Sequence, residues 1–141
     1  MSVTAVLLPL FVHVLLVFVL LVRLGTLRVP LVRSRVVKPG DIALGQKAWP
    51  EAALKAGNAF DNQFQLPVLF YVLTALALVT RQADLLFVVL AWLFVVSRIV
   101  HAAIHSGGNH IVRRFQAYFF GFVVLAVMWI AFAVGILASG A

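Results

Sequence analysis

The chain has no cysteine, and acidic residues are scarce: 4 Asp and Glu stand against 11 Lys and Arg in 141 residues. Without cysteine it can form no disulfide, no thiolate metal ligand and no cysteine nucleophile, so any thiol chemistry has to arrive on a ligand. Charge of either sign is thin as well, at 11% of residues, which excludes the composition of a soluble globular domain. The net charge of +7 and the sequence pI near 11.3 would suit a nucleic-acid partner if the cations formed a surface patch. They lie instead at the edges of apolar runs. No internal repeat or low-complexity segment stands out. At this length one domain is the limit, and four thin helices bury too little for a large internal cavity, so an oligomer is the natural way to build a site.

What is abundant is apolar: 65% hydrophobic residues and a mean hydropathy of +1.14 place the chain in lipid. Four long apolar runs predict an all-α integral membrane four-helix bundle occupying 1–141 as one domain. The helices are expected at about 3–22, 50–80, 85–105 and 113–137, with a basic loop over 23–49. About twenty residues suffice to cross ~30 Å of hydrocarbon. The run from Val3 to Val22 is preceded by no Lys or Arg and followed by no small-residue cleavage site, so it reads as a retained helix. Trp49-Pro50-Glu51 is an interfacial aromatic followed by a helix start, and Pro67 predicts a kink or local opening in the second helix. Lys and Arg concentrate in the first loop (Arg23, Arg28, Arg33, Arg35, Lys38, Lys47, Lys55) and at Arg113-Arg114, with only Arg81 between the second and third helices. The positive-inside bias then puts both basic loops in the cytoplasm and both termini on the non-cytoplasmic side.

Polar groups at membrane depth are costly, so they face protein, a partner subunit or a watery site. Asn58, Asp61, Asn62 and Gln65 fall at i, i+3, i+4 and i+7 on the second helix, and Arg98, His101 and His105 at i, i+3 and i+7 on the third, with Asn109 extending that line. Asp61 and Arg98 have matching depths and are expected to approach each other, because a carboxylate with amide partners is the cheapest way to keep an apolar-embedded arginine charged. Such a pair can equally do no more than fix helix packing. His101 and His105 have the i, i+4 spacing of a metal pair, but only His110 and a distant Asp could complete a site, so no metal is expected. His13, alone in the first helix, is expected to be hydrogen-bonded between helices. Arg113 and Arg114 read first as snorkelling anchors; as a clamp for carboxylates they would converge with Arg98, Lys55 and Arg23 on one cytoplasm-facing pocket.

The segment from Asn58 through Asp61, Asn62, Gln65 and Pro67 to Tyr71, the segment from Ser97 and Arg98 to His105, and Asn109 with Arg113-Arg114-Phe115 together resemble the membrane-associated proteins in eicosanoid and glutathione metabolism, the MAPEG family, most of all its bacterial members. The resemblance covers nearly the whole chain. It implies a homotrimer in a bacterial inner membrane, with a glutathione site at each subunit interface near the cytoplasmic face. It also implies transferase or peroxidase activity on lipophilic substrates reaching the site from the bilayer. By position it implies Arg98, Arg113 and Tyr118 for catalysis, and Lys55, Asn58, Asn62, Gln63, His101, His105, Asn109 and Arg114 for holding glutathione. Where glutathione-using members carry an Arg, Asn and Glu grouping at the start of the second helix, this chain has Lys55, Asn58 or Asn62, and Gln63. Lysine lacks the bidentate fork, and glutamine cannot meet an ammonium as a carboxylate does. The alternative is a non-catalytic structural or lipid-binding subunit of a membrane assembly. An ion-conducting role is disfavoured because Val68 to Val79 and Leu85 to Val96 offer almost no polar path.

Overall fold

The computed structural model describes residues 1–45 and 48–139. Lys47, counted above among the loop cations, lies outside the described residues. The first helix, α1 (Val3–Arg33), is capped by the Ser2 hydroxyl, which accepts from the Ala5 amide at 3.2 Å. It does not stop where the apolar run stops. Arg, Leu and Thr carry it on for a further 11 residues past Val22 (Arg23–Arg33), because the apolar run marks where lipid ends and not where helix propensity ends. At 1.5 Å per residue, 31 residues span about 46 Å, so the basic last turns project beyond ~30 Å of hydrocarbon. Arg35, with φ of 58°, then turns the chain out of the helix, and the expected loop over 23–49 shortens to one beginning at Ser34.

The second span is two helices, α2 (Glu51–Asp61) and α3 (Leu66–Val79), joined by a 3₁₀ turn at Asn62–Phe64. The kink expected from Pro67 is a full interruption centred on Gln65 (φ −98°, ψ −105°). Proline has no N–H to give the carbonyl one turn back, and its ring crowds that carbonyl, so the helix restarts with Pro67 in its first turn. Beyond α3, Arg81 at φ 56° makes the tight turn, and Asp84 caps α4 (Leu85–Ser106) by accepting from the Phe87 amide at 2.8 Å. Gly107, Gly108 and Asn109 (φ 51°) end α4, and α5 (Ile111–Ser139) runs back.

Among the described residues the chain has no strand and four helical segments long and apolar enough to cross a membrane: Val3–Arg33, Glu51–Val79, Leu85–Ser106 and Ile111–Ser139. They alternate in direction, so the chain's start lies beside the α3–α4 turn, where the Met1 ammonium donates to the Ala83 carbonyl at 3.4 Å. The core is apolar at that end and centre, built on Val6, Phe70, Leu73, Phe94, Leu125 and Met128, with Phe70 and Phe94 rings 4.9 Å apart. Large apolar side chains such as Phe11, Leu15, Phe18, Phe119, Phe122 and Ile130 are exposed, as surfaces facing lipid or another subunit must be. Towards the basic end the core turns polar. His13, Gln63 and Arg98 are each fully buried there.

Candidate functional site

α4 presents Arg98, His101 and His105 inward, as the i, i+3, i+7 spacing predicts. Arg98 is 0% exposed and does not meet a carboxylate. Its Nη2 donates to Asn62 Oδ1, an interhelical bond across the bundle, and lies 3.3 Å from His101 Nδ1, to which it also donates. The expected Asp61–Arg98 pair is therefore corrected to Asn62–Arg98. One helical position is a 100° rotation, and the 3₁₀ turn beginning at Asn62 swings that amide inward and leaves Asp61 exposed. The four-residue polar stripe is divided in the same way: Asn62 and Gln65 line one cavity, joined by an Asn62 Nδ2 to Gln65 Oε1 bond of 3.1 Å, while Asn58 and Asp61 line another.

The cavity beside Arg98 measures about 270 Å³ and is lined by Asn62, Gln65, His101, His105, Arg114 and Tyr118, with Ile111 and Phe115 at its apolar side. Among the described residues no acidic one lines it. Arg98 lies behind this lining, its guanidinium carbon 5.7 Å from the Tyr118 ring centroid, and the His101 ring is 5.8 Å from the same ring. Close approach of α5 depends on Gly121. A Cβ there would stand 2.5 Å from Ser97 Oγ and 3.9 Å from Arg98 Cδ, so with serine at position 97 any larger residue would have to displace that hydroxyl for the helices to meet at this level. Arg114 is held at the cavity edge by Asn109, whose Oδ1 accepts from Nη1 at 2.5 Å. Arg98 Nε and Nη1 and His105 Nδ1 are buried without a hydrogen-bond partner. Unsatisfied buried polar atoms on one face of α4 are the mark of a site that a ligand or water completes.

The cations expected to converge are divided. Arg114 is at the cavity, but Arg113 is exposed and outside its lining. Lys55 and Arg23 line a separate groove between α1, α2 and α4, where Lys55 pairs with Glu51 at 2.5 Å and Arg23 Nη2 caps α4 by donating to the Ser106 carbonyl at 2.8 Å. Gln63 is buried away from the cavity, with Nε2 donating to Ala59 O at 2.9 Å. Of the candidate residues, Asn62, His101, His105, Arg114 and Tyr118 share the cavity, with Arg98 and Asn109 directly behind them; Lys55, Asn58, Gln63 and Arg113 do not. Gln65, Ile111 and Phe115 were missed, although Gln65 belongs to the polar stripe and Phe115 follows the paired arginines. His13 is hydrogen-bonded between helices as expected, with Nδ1 2.6 Å from the Tyr71 hydroxyl on α3.

Four membrane-crossing helices around a polar core at the basic end make this an integral membrane protein with a cationic cavity between α2, α4 and α5. The chain belongs to the MAPEG family, whose family model matches residues 6–134. Neither a curated protein nor a solved structure gives a significant match.

Proposed function

We propose that this protein binds glutathione at the Arg98 cavity and either joins its thiolate sulfur to the electrophilic carbon of a lipophilic substrate, expelling the leaving group as the thioether conjugate forms, or uses two glutathione molecules to reduce a lipophilic hydroperoxide to the alcohol and water with formation of glutathione disulfide. The observation that carries the reading is the buried guanidinium of Arg98, with two partnerless nitrogens behind a cavity that, among the described residues, no carboxylate lines. A buried cation of this kind is best satisfied by an anion supplied from outside, and a thiol with an ordinary pKa of ≈ 8.5 is better populated as thiolate beside it. The donor set fits the anionic parts of the tripeptide: Arg98 and Arg114 supply charge, Asn62 a neutral donor, and Tyr118 a hydroxyl at the cavity wall. Glutathione supplies the nucleophilic sulfur; the protein's residues orient it, stabilise its charge and exclude water. Arg98 holds the negative charge, and Asn62 and His101 fix the plane of its guanidinium.

On this reading three copies assemble in a bacterial inner membrane with their basic ends in the cytoplasm. The cavity volume supports that assembly, because about 270 Å³ with one open side falls below the ~300–1,000 Å³ of complete small-molecule sites. A neighbouring copy would supply the missing wall. The competing reading, a non-catalytic structural or lipid-binding subunit, has one observation of its own in the Arg98–Asn62 bond, which ties α4 to the end of α2. The two separate by assay of the purified protein with glutathione and an aryl halide or a lipid hydroperoxide. Turnover that is lost in Arg98→Met and reduced in Tyr118→Phe, at unchanged oligomer size, supports catalysis. Absence of turnover with several electrophile classes, together with assembly lost in Arg98→Met, favours the structural subunit.

A further inference from the structure

Asp61, the carboxylate expected beside Arg98, lines a second cavity, of about 420 Å³, between the far half of α1, the first loop and α2. Arg28, Trp49, Asn58 and Asp61 give it a polar and aromatic lining, with Ile42 and Leu54 beside them. Arg28 is pinned from two sides. Its guanidinium carbon lies 4.5 Å from the Trp49 ring centroid, and its Nη2 occupies the notch left by Gly57, where a Cβ would collide with it. Its Nε is buried without a hydrogen-bond partner. Asp61 is exposed, and the ion pair seen among the described residues is Lys55–Glu51. A cation and an anion therefore line one space without pairing. Trp49 and Gly57 hold the first in place, and the last turn of α2 holds the second.

The separation of the two charges selects the ligand. Gly57 marks the level of the guanidinium and precedes Asp61 by one helical turn, about 6 Å along α2, and a helical side chain leans back towards the N-terminus, which brings the carboxylate nearer. An ammonium and a carboxylate carried on one carbon, each held by a hydrogen bond of ~2.8 Å, bridge such a gap. Arg28 lies five residues beyond Arg23, about 7.5 Å further along α1 and outside the hydrocarbon, and the loop residues Ile42 and Trp49 form part of the cavity wall. The ligand is therefore a soluble one that arrives from water. We propose that this cavity binds an α-amino acid group, with its carboxylate on the Arg28 guanidinium, its ammonium on Asp61, Asn58 as a further hydrogen-bond partner, and its side chain against Ile42 and Leu54. Stacking on Trp49 suits that role, because it occupies a face of the guanidinium and leaves the N–H edge to a carboxylate. The group is free in amino acids and in γ-linked peptides but not in ordinary peptides, where one of its two charges is lost to the amide. The proposal is independent of the Arg98 cavity, which shares none of these residues.

The test is binding of small probes at millimolar concentration to the detergent-purified full chain, read by calorimetry and by thermal unfolding. L-Alanine and L-glutamate should bind saturably. Propionate, which lacks the ammonium, and ethylamine, which lacks the carboxylate, should each bind about tenfold more weakly than alanine or worse, the effect of one charge-assisted hydrogen bond. Asp61→Asn should bring alanine down to the level of propionate and leave propionate unchanged, and Arg28→Gln should bring it down to the level of ethylamine. The proposal is overturned if neither amino acid saturates the wild type, if propionate or phosphoethanolamine binds as tightly as alanine, or if the preference for alanine over propionate survives in Asp61→Asn. The wild-type comparisons carry the test on their own should a variant fail to fold. γ-Glutamylalanine binding tighter than glutamate makes a γ-linked peptide the ligand, and the reverse order makes it a free amino acid.

Discussion

Replacing Asn62 by leucine should harm this protein more than removing Arg98 itself. In the wild type the Arg98 guanidinium is fully buried, and it donates to Asn62 Oδ1 and weakly to His101 Nδ1 while Nε and Nη1 have no partner. Asn62→Leu takes away its interhelical acceptor and leaves a charge that α4 holds in place. A hydrogen bond to a charged group contributes ≈ 1.5–3 kcal/mol, and breaking one side of a buried charged pair costs ≈ 3–5 kcal/mol, so a loss of about 3 kcal/mol is expected. Arg98→Met removes the charge together with its demand and keeps apolar bulk. Asn62, half-exposed and already bonded to Gln65, loses little, so the cost should be about 1 kcal/mol. The double variant should resemble Arg98→Met, giving a coupling of about 3 kcal/mol. Equilibrium unfolding in mixed detergent micelles, followed by fluorescence of Trp92 and Trp129, measures all four proteins. Strict additivity, or an Asn62→Leu variant as stable as wild type, would refute the reasoning.

Gly121→Ala should destabilise by about 1–3 kcal/mol through overpacking against Ser97 Oγ, and Ser97→Ala should restore most of it, since the remaining Ser97 Cβ stands at an ordinary 3.6 Å; thermal midpoints of the single and double variants check this. Tyr71→Phe should cost about 1–3 kcal/mol by leaving His13 Nδ1 buried and unpaired, whereas an unchanged midpoint would mean that water reaches this histidine. Arg23→Met should expose the end of α4, seen as faster hydrogen exchange at Gly107 and Asn109 with little change at the α5 core around Val124 and Leu125; uniform loss of protection would show that Arg23 supports the whole bundle instead.

The four spans were legible because hydropathy and length decide them directly. The end of α1 was not, because the apolar run stops at Val22 while Arg, Leu and Thr sustain the helix to Arg33. Pro67 announced a break in the second span, but not that Asn62 would begin a 3₁₀ turn. That turn decides which polar residue meets Arg98, because a helical period assigns Asp61 and Asn62 to the same face and a change of pitch separates them. His13 was legible as a buried hydrogen-bonded residue from its isolation in an apolar run, while its partner Tyr71 was not, because a tyrosine among membrane apolars carries no signal of its own. The division of Arg114 from Lys55 and Arg23 depends on how three helices are rotated about their axes. Spacing along one helix does not contain that information.

The measurement that bears most directly on the central claim is glutathione binding to the detergent-purified protein, read both as affinity and as thiolate absorbance of the bound ligand at neutral pH. Saturable binding with the thiolate populated, weakened in Arg114→Gln and with the thiolate signal lost in Arg98→Met, is the result expected of the Arg98 cavity. No saturable binding by the intact protein, or binding that is indifferent to both substitutions, would contradict it.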